Sequence, residues 1–252
     1  AAGVFELDDA DVLLVLLVLT GCSAKPVTLE VYAGISAKSA MLALKDSYEK
    51  QHPNVTVNFN FAASKTLEAT MRALQQGDLY IVPSVDIEKM AQDGLIIESH
   101  PLASLTPALI VRKDSKVVTS WNDLAKDGVR LAIINPDLGT AGSIADKVIE
   151  SSPAKDAIHS NITVFSANIN EMIKLLMDGK VDAFINWDVV AQTNPDLMAI
   201  EIPADINHTL EMWIAIPTYT SSRNDAAGFL EFIQGDEGQQ AFKDAGFDIL
   251  GE

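Results

Sequence analysis

The sequence predicts an α/β fold, and three observations lead to this prediction. Apolar runs of strand length recur along the chain from residue 28 onward. Patterns with helical spacing separate most of these runs, and this alternation is typical of α/β proteins with largely parallel sheets. The 252 residues are 48% hydrophobic and 21% charged, so the chain can bury a core as one large domain or as two smaller lobes.

The predicted elements follow one another closely along the chain. Residues 28–33 have the composition of a strand, and residues 37–50 carry apolar side chains on one helix face. Residues 55–61 alternate apolar and polar side chains as a half-buried strand does, and Ser64 opens the next helix. The clearest later helix is residues 168–178, whose apolar positions recur at i, i+3, i+4 and i+7. Further strands are predicted at residues 79–82, 109–111, 131–134, 162–165, 181–185 and 213–216.

The charge and the cysteine count exclude several classes of function. The sequence has 18 Lys and Arg against 35 Asp and Glu, which gives a formal net charge of −17. Binding to nucleic acid or to an anionic membrane surface needs a basic surface, so we expect neither. The sole cysteine, Cys22, allows no intramolecular disulfide and no thiolate metal cluster, and the four histidines form no H-E-x-x-H pattern.

Residues 1–22 are predicted to be a lipoprotein signal segment outside the fold. Residues 13–19 form an apolar run too short to span a bilayer, and L-T-G-C follows at residues 19–22. This sequence resembles a lipobox, in which cleavage precedes a cysteine that is then lipidated, here Cys22. The four acids before the run differ from the positive start that such segments usually have. The alternative is a buried strand with a chance cysteine. We therefore expect an extracytoplasmic protein, lipid-anchored to the outer face of the cytoplasmic membrane.

Three predicted strand-to-helix turns are rich in small residues, at residues 32–37, 61–66 and 135–143. Small residues let a ligand approach the backbone, and the hydroxyls and free N–H groups at a helix start attract anions. The alternative for any one turn is ordinary helix capping by Ser or Thr. Ligands of open α/β sheets bind at the carboxyl ends of the strands, so three such turns together predict an anion site.

An exported enzyme is the alternative from a different functional class. The sequence contains no nucleophile elbow, no complete set of S-x-x-K, S-D-N and K-T-G motifs, and no nucleotide-binding glycine pattern. We therefore expect no catalytic residues and no cofactor.

The order of these motifs resembles the molybdate-binding proteins of ABC importers, within the type II periplasmic solute-binding superfamily. The resemblance runs from about residue 27 to residue 250. It includes V-Y-A-G-I-S-A at residues 31–37, F-A-A-S-K-T-L at residues 61–67, and G-Q-Q-A-F-K-D-A-G-F at residues 238–247. It implies five ligand-binding residues: Ser36 and Ser64 through their hydroxyls, Ala141 and Asn170 through backbone N–H groups, and Trp187 through its side chain.

Four positions at or beside this implied site need separate interpretation. Lys65 stands where the family usually has a small hydroxyl residue, and it either adds a positive charge to the site or remains a solvated helix residue. Thr140 is a further candidate ligand, and Trp187 stands in the segment where a ligand tyrosine is common. Asp188 either faces the ligand, where it would repel an anion, or caps a helix that begins at Val189, which is the favoured interpretation.

The resemblance also implies the architecture. Two α/β lobes, each a mostly parallel sheet flanked by helices, are joined by a hinge of two crossing segments and close over the ligand. Lobe 1 is expected at residues 23–108 and 216–252, and lobe 2 at residues 109–215. The crossings are expected near residues 107–112 and 207–217.

The implied function is that of a monomeric receptor that delivers molybdate or tungstate to an ABC permease. A site of hydrogen-bond donors favours a fully deprotonated tetrahedral dianion, with no metal site beyond the oxyanion. A carboxylate-containing octahedral site is less favoured, because Thr140 and Asn186 add no charge. The main alternative keeps the receptor and changes its ligand to another oxyanion or a small organic acid.

Overall fold

The computed structural model describes residues 25–250, which form two five-stranded sheets. The strands are β1 (Val27–Gly34), β2 (Val55–Ala62), β3 (Leu79–Pro83), β4 (Ile96–Leu105), β5 (Pro107–Arg112), β6 (Leu131–Ile134), β7 (Ile162–Ser166), β8 (Ala183–Trp187), β9 (Leu197–Glu201) and β10 (Leu210–Pro217). The first sheet has the order β2-β1-β3-β10-β4, and the second has the order β7-β6-β8-β5-β9. The predicted signal segment and Cys22 lie outside the described residues.

Helices flank both sheets, which confirms the predicted α/β class. They are α1 (Lys38–Gln51), α2 (Ser64–Leu74), α3 (Ser84–Gln92), α4 (Thr140–Glu150), α5 (Lys155–Ser160), α6 (Ile169–Met177), α7 (Val189–Gln192), α8 (Arg223–Gln234) and α9 (Asp236–Asp244), with short 3-10 helices at Ile35–Ala37 and Trp121–Ala125. Helices α1 to α3, α8 and α9 belong with the first sheet, and α4 to α7 belong with the second.

Both sheets are mixed but mostly parallel, with four of the five strands in each running in the same direction. In the first sheet β2, β1 and β3 pair in parallel, whereas β10 pairs antiparallel with β3 and β4. In the second sheet β7, β6 and β8 pair in parallel, whereas β5 pairs antiparallel with β8 and β9. The antiparallel strands are those next to the connections between the sheets, because a chain that enters from the other sheet needs no crossover helix.

The sheet pairings move the expected lobe boundaries. Pro107–Arg112 was expected to be a crossing, but it is strand β5, and Thr106 alone separates it from β4. Residues 210–215 were expected in lobe 2, but they lie in β10, which pairs within the first sheet. The second connection is therefore residues 202–209. The hydrogen bonds of β10 decide this boundary, and the apolar pattern of 213–216 does not indicate which sheet it joins.

Two strands without a predicted counterpart, β4 and β9, lie at sheet edges. Strand β4 contains Glu98, Ser99, His100 and Pro101, so it lacks the apolar run that marks an interior strand. The pairing register with β10 shifts beside Pro101, as expected for proline in an edge strand. The predicted strand 181–185 begins two residues later, because the Asp182 carboxylate accepts from the Arg130 backbone N–H and holds a turn there.

Gly238 lies where α9 packs against the end of α8. A Cβ atom at this position would lie 1.8 Å from the Ile233 carbonyl oxygen at the end of α8. This contact is backbone against side chain, so no rotamer change can relieve it. The junction between α8 and α9 therefore requires glycine at position 238.

We expect Gly238→Ala to lower the free energy of unfolding by about 3 kcal/mol, because the added methyl group forces α8 and α9 apart. Gly228→Ala is the matched control, since its Cβ would meet only the Tyr48 hydroxyl at 3.3 Å. Urea unfolding followed by circular dichroism measures both variants. Equal unfolding midpoints for the two would contradict this account of the junction.

Candidate functional site

A cavity of about 400 Å³ lies where the strand ends of the two sheets face each other. All five residues that the resemblance implied as ligands line it, and so does Thr140; the five are Ser36, Ser64, Ala141, Asn170 and Trp187. The first two follow β1 and β2 of the first sheet, and the others lie at α4, α6 and β8 of the second. The topology thus brings together turns that are up to about 150 residues apart in sequence, because parallel strands present their carboxyl ends at one edge.

Two helices point uncapped N-termini at this cavity. Helix α2 begins at Ser64 after Ala63, and α4 begins at Thr140 after Gly139; neither preceding residue has a side chain that can cap. The capping alternative therefore does not account for Ser64 or Thr140. Helix α6 is capped in the ordinary way, because the Asn168 side chain accepts from the Glu171 N–H at its start. Uncapped helix starts leave N–H groups and a partial positive charge available to an anion.

The two sheets touch beside the cavity through these same helix starts. The Thr140 N–H donates to Ser64 Oγ at 3.2 Å, and Ser64 Oγ donates to Thr140 Oγ1 at 3.3 Å. A Cβ on Gly139 would lie 3.0 Å from the Ala63 Cβ, so a glycine here lets the backbones approach. The Tyr80 hydroxyl donates to the Ser64 carbonyl at 3.1 Å and holds this turn from below.

Lys65 takes neither of the two roles expected for it. It is half-buried, and its Nζ donates to the Pro136 carbonyl at 2.6 Å and to Ser143 Oγ at 3.1 Å. Both partners belong to the turn of the second sheet that precedes and starts α4. Lys65 does not line the cavity, so it neither charges the site directly nor remains solvated. It connects the two sheets.

Lys38 is the charged residue that the sequence analysis missed. Among the described residues that line the cavity, it alone carries a formal charge. It is exposed at the start of α1, and its Nζ lies 5.8 Å from the centre of the Phe61 ring. The available signal was its place directly after the small-residue turn 32–37.

Asp86 is a second residue that sequence reasoning missed. It lies in the first turn of α3, is 5% exposed, and its Oδ2 accepts from Thr140 Oγ1 at 2.6 Å. Burial raises the pKa of this carboxyl, while the hydrogen bond from Thr140 and the nearby Ser64 hydroxyl lower it. An acid in the first turn of a helix usually just complements the dipole, so the sequence carried no signal of its contact with the opposite sheet.

The end of β8 supplies Asn186 and Trp187, both buried and both lining the cavity. The Asn186 side chain accepts from the Trp187 N–H at 2.9 Å, which holds the turn. The next residue, Asp188, accepts from the Val189 N–H at 2.7 Å and begins α7. Asp188 does not line the cavity, so the capping interpretation is confirmed. Burial is the main cause that raises the pKa of the Asp188 carboxyl.

Residues 29–248 match the family model of the bacterial extracellular solute-binding proteins, and the chain belongs to this family. It is 26% identical to YvgL of Bacillus subtilis (strain 168), over 92% of this chain and 93% of that protein; the name of YvgL describes an ABC transporter substrate-binding lipoprotein. Across residues 25–250, no helix has the length and apolar character needed to cross a bilayer.

Two solved structures share the fold at low sequence identity. The periplasmic molybdate-binding protein of Azotobacter vinelandii has a TM-score of 0.76 at 16% identity, over 89% of this chain and all of that one. The sulfate-binding protein SubI of Mycobacterium tuberculosis H37Rv has a TM-score of 0.76 at 15% identity, over 89% of this chain and 87% of that one. These likenesses confirm the two-lobed periplasmic-binding-protein fold. Membership of the bacterial extracellular solute-binding family makes the chain an extracytoplasmic solute-binding protein of the ABC transporter type, which implies a small solute as ligand and permease subunits as partners.

We expect Lys65→Met to loosen the turn at residues 135–143, because it removes two hydrogen bonds from a charged donor between the sheets. Amide hydrogen exchange in this turn should speed up about tenfold, with little change in the remaining segments. Lys89→Met is the matched control, since Lys89 pairs with Glu68 within the first sheet. Unchanged exchange in residues 135–143 would show that Lys65 does not hold this turn.

Proposed function

We propose that this protein is a receptor that captures a tetrahedral oxyanion, molybdate or tungstate, between its two lobes and delivers it to an ABC permease. The observation that carries the proposal is the convergence of hydrogen-bond donors from both sheets on one cavity. Ser36 and Ser64 come from the first sheet, and Ala141, Asn170 and Trp187 come from the second. None of the described residues that line the cavity has a carboxylate.

The donor set favours a fully deprotonated dianion. Hydroxyl, indole and backbone N–H groups donate to an oxyanion, and the starts of α2 and α4 add the positive ends of two helix dipoles. An anion with its own O–H group would need an acceptor in the cavity. Without one, burial of the unpaired group costs about 1–3 kcal/mol, or roughly tenfold or more in affinity. Closure of the lobes over the ligand would complete the set of donors.

In this proposal Lys38 attracts the anion to the cavity, and it is not one of the donors that define the site. It is exposed at the edge of the cavity, where a positive charge raises the local concentration of anions and the association rate. The chain as a whole carries −17, so approaching anions are repelled elsewhere on the surface. The local field at the cleft therefore has to come from Lys38 and the helix starts.

A second candidate ligand, a small organic anion, is favoured by the size of the cavity. A volume of about 400 Å³ falls in the range of pockets for organic ligands and far exceeds one tetrahedral ion. Part of the lining is apolar, including Leu42, Ile173 and Val190. These side chains would contact an organic substituent whose anionic group binds the donors.

We further propose that Cys22 carries a lipid anchor and that the protein acts as a monomer. The support for the anchor is the apolar run at residues 13–19 followed by L-T-G-C, together with the lipoprotein name of YvgL. A catalytic role is not proposed, because the relatives in this family are solute-binding proteins.

Isothermal titration calorimetry with molybdate, tungstate, sulfate and phosphate tests the ligand. We expect binding of molybdate and tungstate at least about tenfold tighter than binding of phosphate, because the O–H that phosphate keeps needs an acceptor, and a hydroxyl that accepts it no longer donates to the anion. Absence of heat with molybdate and tungstate would refute the proposed ligand. Binding of organic anions alone would favour the second candidate.

We expect Ser36→Ala and Ser64→Ala each to weaken oxyanion binding by about tenfold or more, because each removes one hydroxyl donor to a charged acceptor. Ser221→Ala, at an exposed position, is the control and should bind as the native protein does. Native affinity in both cavity variants would mean that the anion binds elsewhere.

A further inference from the structure

A chain of three side chains runs from the cavity wall into the first sheet's helix layer. Ser64 Oγ donates to Thr140 Oγ1 at 3.3 Å, and Thr140 Oγ1 donates to Asp86 Oδ2 at 2.6 Å. Ser64 and Thr140 line the cavity, whereas Asp86 lies behind them and does not. All three are buried, with 5 to 6% of their surface exposed. These two hydrogen bonds form the Ser64–Thr140–Asp86 relay, which couples a buried carboxyl to the hydroxyl that is proposed to hold the anion.

The protonation state of Asp86 determines the direction in which the side chains of this relay can donate their hydrogen bonds. A carboxylate only accepts hydrogen bonds, so Thr140 must donate to it and Ser64 can then donate to Thr140. In that direction Ser64 presents an acceptor to the cavity. A neutral carboxylic acid can donate to Thr140, which then donates to Ser64, and Ser64 presents its proton to the cavity. A fully deprotonated anion can use only the second direction.

The charges around Asp86 leave it without a direct cationic partner among the described residues. Glu68, on α2, is the nearby carboxylate, and it is already paired with Arg72 at 2.9 Å and with Lys89 at 3.2 Å. Lys65, also on α2, acts on Asp86 only through space, because its Nζ is bound to Pro136 and Ser143.

The strands packed against α3 present Tyr80, apolar side chains and Glu211 of β10, which lies on the same strand face as Trp213 and accepts from its indole N–H at 2.6 Å. Tyr80 of β3 lies near Asp86, and burial together with the charges of Asp86 and Glu68 raises the pKa of the Tyr80 phenol. Strands β4 and β10 contribute Ile96, Trp213 and Ala215 to the apolar cluster that contains the α3 core residues. Binding of a dianion in the cavity would therefore add negative charge close to the Asp86 carboxyl.

We propose that Asp86 is a positioning residue that sets the direction of the Ser64–Thr140–Asp86 relay, so that capture of a fully deprotonated oxyanion is accompanied by uptake of one proton from solvent onto Asp86. The inference rests on the proposed oxyanion receptor function. It makes Asp86 a determinant of selectivity, because the ionised form suits an anion with its own O–H and the neutral form suits an anion without one. The burial that raises the pKa of Asp86 moves this change toward neutral pH.

The test is Asp86→Asn, which keeps the size of the side chain, removes its charge and supplies an N–H donor to Thr140. Sulfate and hydrogen phosphate are the probes at about pH 8, where both are dianions and only phosphate has an O–H. We expect Asp86→Asn to bind sulfate about tenfold more tightly and phosphate more weakly. Asp78→Asn is the control, because Asp78 is equally buried but accepts from the Glu30 N–H and the Thr220 hydroxyl, away from the cavity.

The pH profile gives a second reading of the same variants. The neutral form of Asp86 favours sulfate, so bound sulfate raises the pKa of Asp86 in the native protein. Between the pKa of Asp86 in the free protein and its pKa in the sulfate complex, the Kd for sulfate should increase by up to about tenfold per pH unit as pH rises. Asp86→Asn should abolish this dependence, and Asp78→Asn should keep it.

The outcomes separate the inference from the function on which it rests. If the native protein binds molybdate or sulfate but Asp86→Asn leaves selectivity and pH dependence unchanged, the relay inference is wrong and the receptor function stands. If Asp86→Asn increases the affinity for sulfate and for phosphate equally, the effect comes only from removal of the negative charge, and the relay inference is wrong. If the native protein binds none of molybdate, tungstate, sulfate and phosphate, both proposals fail.

Discussion

The site depends on two helices that begin without a capping side chain. Ala63 and Gly139 stand immediately before α2 and α4, and neither can satisfy the N–H groups of the first turn. A buried helix start needs hydrogen-bond partners from elsewhere, and here the two starts supply some to each other through Ser64 and Thr140. Together with the hydrogen bonds of Lys65 and Asp86, this contact joins the sheets, and it forms a wall of the cavity with donors directed into it.

The electrostatics of the protein differ sharply between the whole molecule and the cleft. A net charge of −17 argues against nucleic acid as a ligand, yet it does not describe a cavity whose charged lining, within the described residues, is Lys38 alone. The charge of the groups at the cleft also changes from the surface inward. Lys38 lies at the surface, neutral donors follow, and the Asp86 carboxyl lies behind them. An anion would therefore meet attraction first and a buried acid last.

Much of the fold and most of the candidate site could be predicted, because strong local signals marked them. Strand β6 is a continuous apolar run, β1 alternates polar and apolar residues before the apolar segment 31–33, and the small-residue turns identified Ser36, Ser64 and the start of α4. Strand β4 has its apolar pattern interrupted by residues 98–101, E-S-H-P, and the short apolar run of β9 at residues 197–200 was not recognised as a strand. Lys65 was misjudged for a different reason: its partners lie 71 and 78 residues away, and no local pattern reports them.

The sequence by itself determined the α/β class, the positions of the helix starts and the chemistry of the donors, because these follow from periodicity and residue type over a few residues. Only the tertiary structure decided which strands share a sheet, that Lys65 connects the sheets while Lys38 faces the cavity, and that Asp86 reaches Thr140. These outcomes depend on pairing and burial between segments about 50 or more residues apart, as in the 54-residue separation of Asp86 and Thr140. Hydrogen bonds at that range form only once the two sheets have brought their strand ends together.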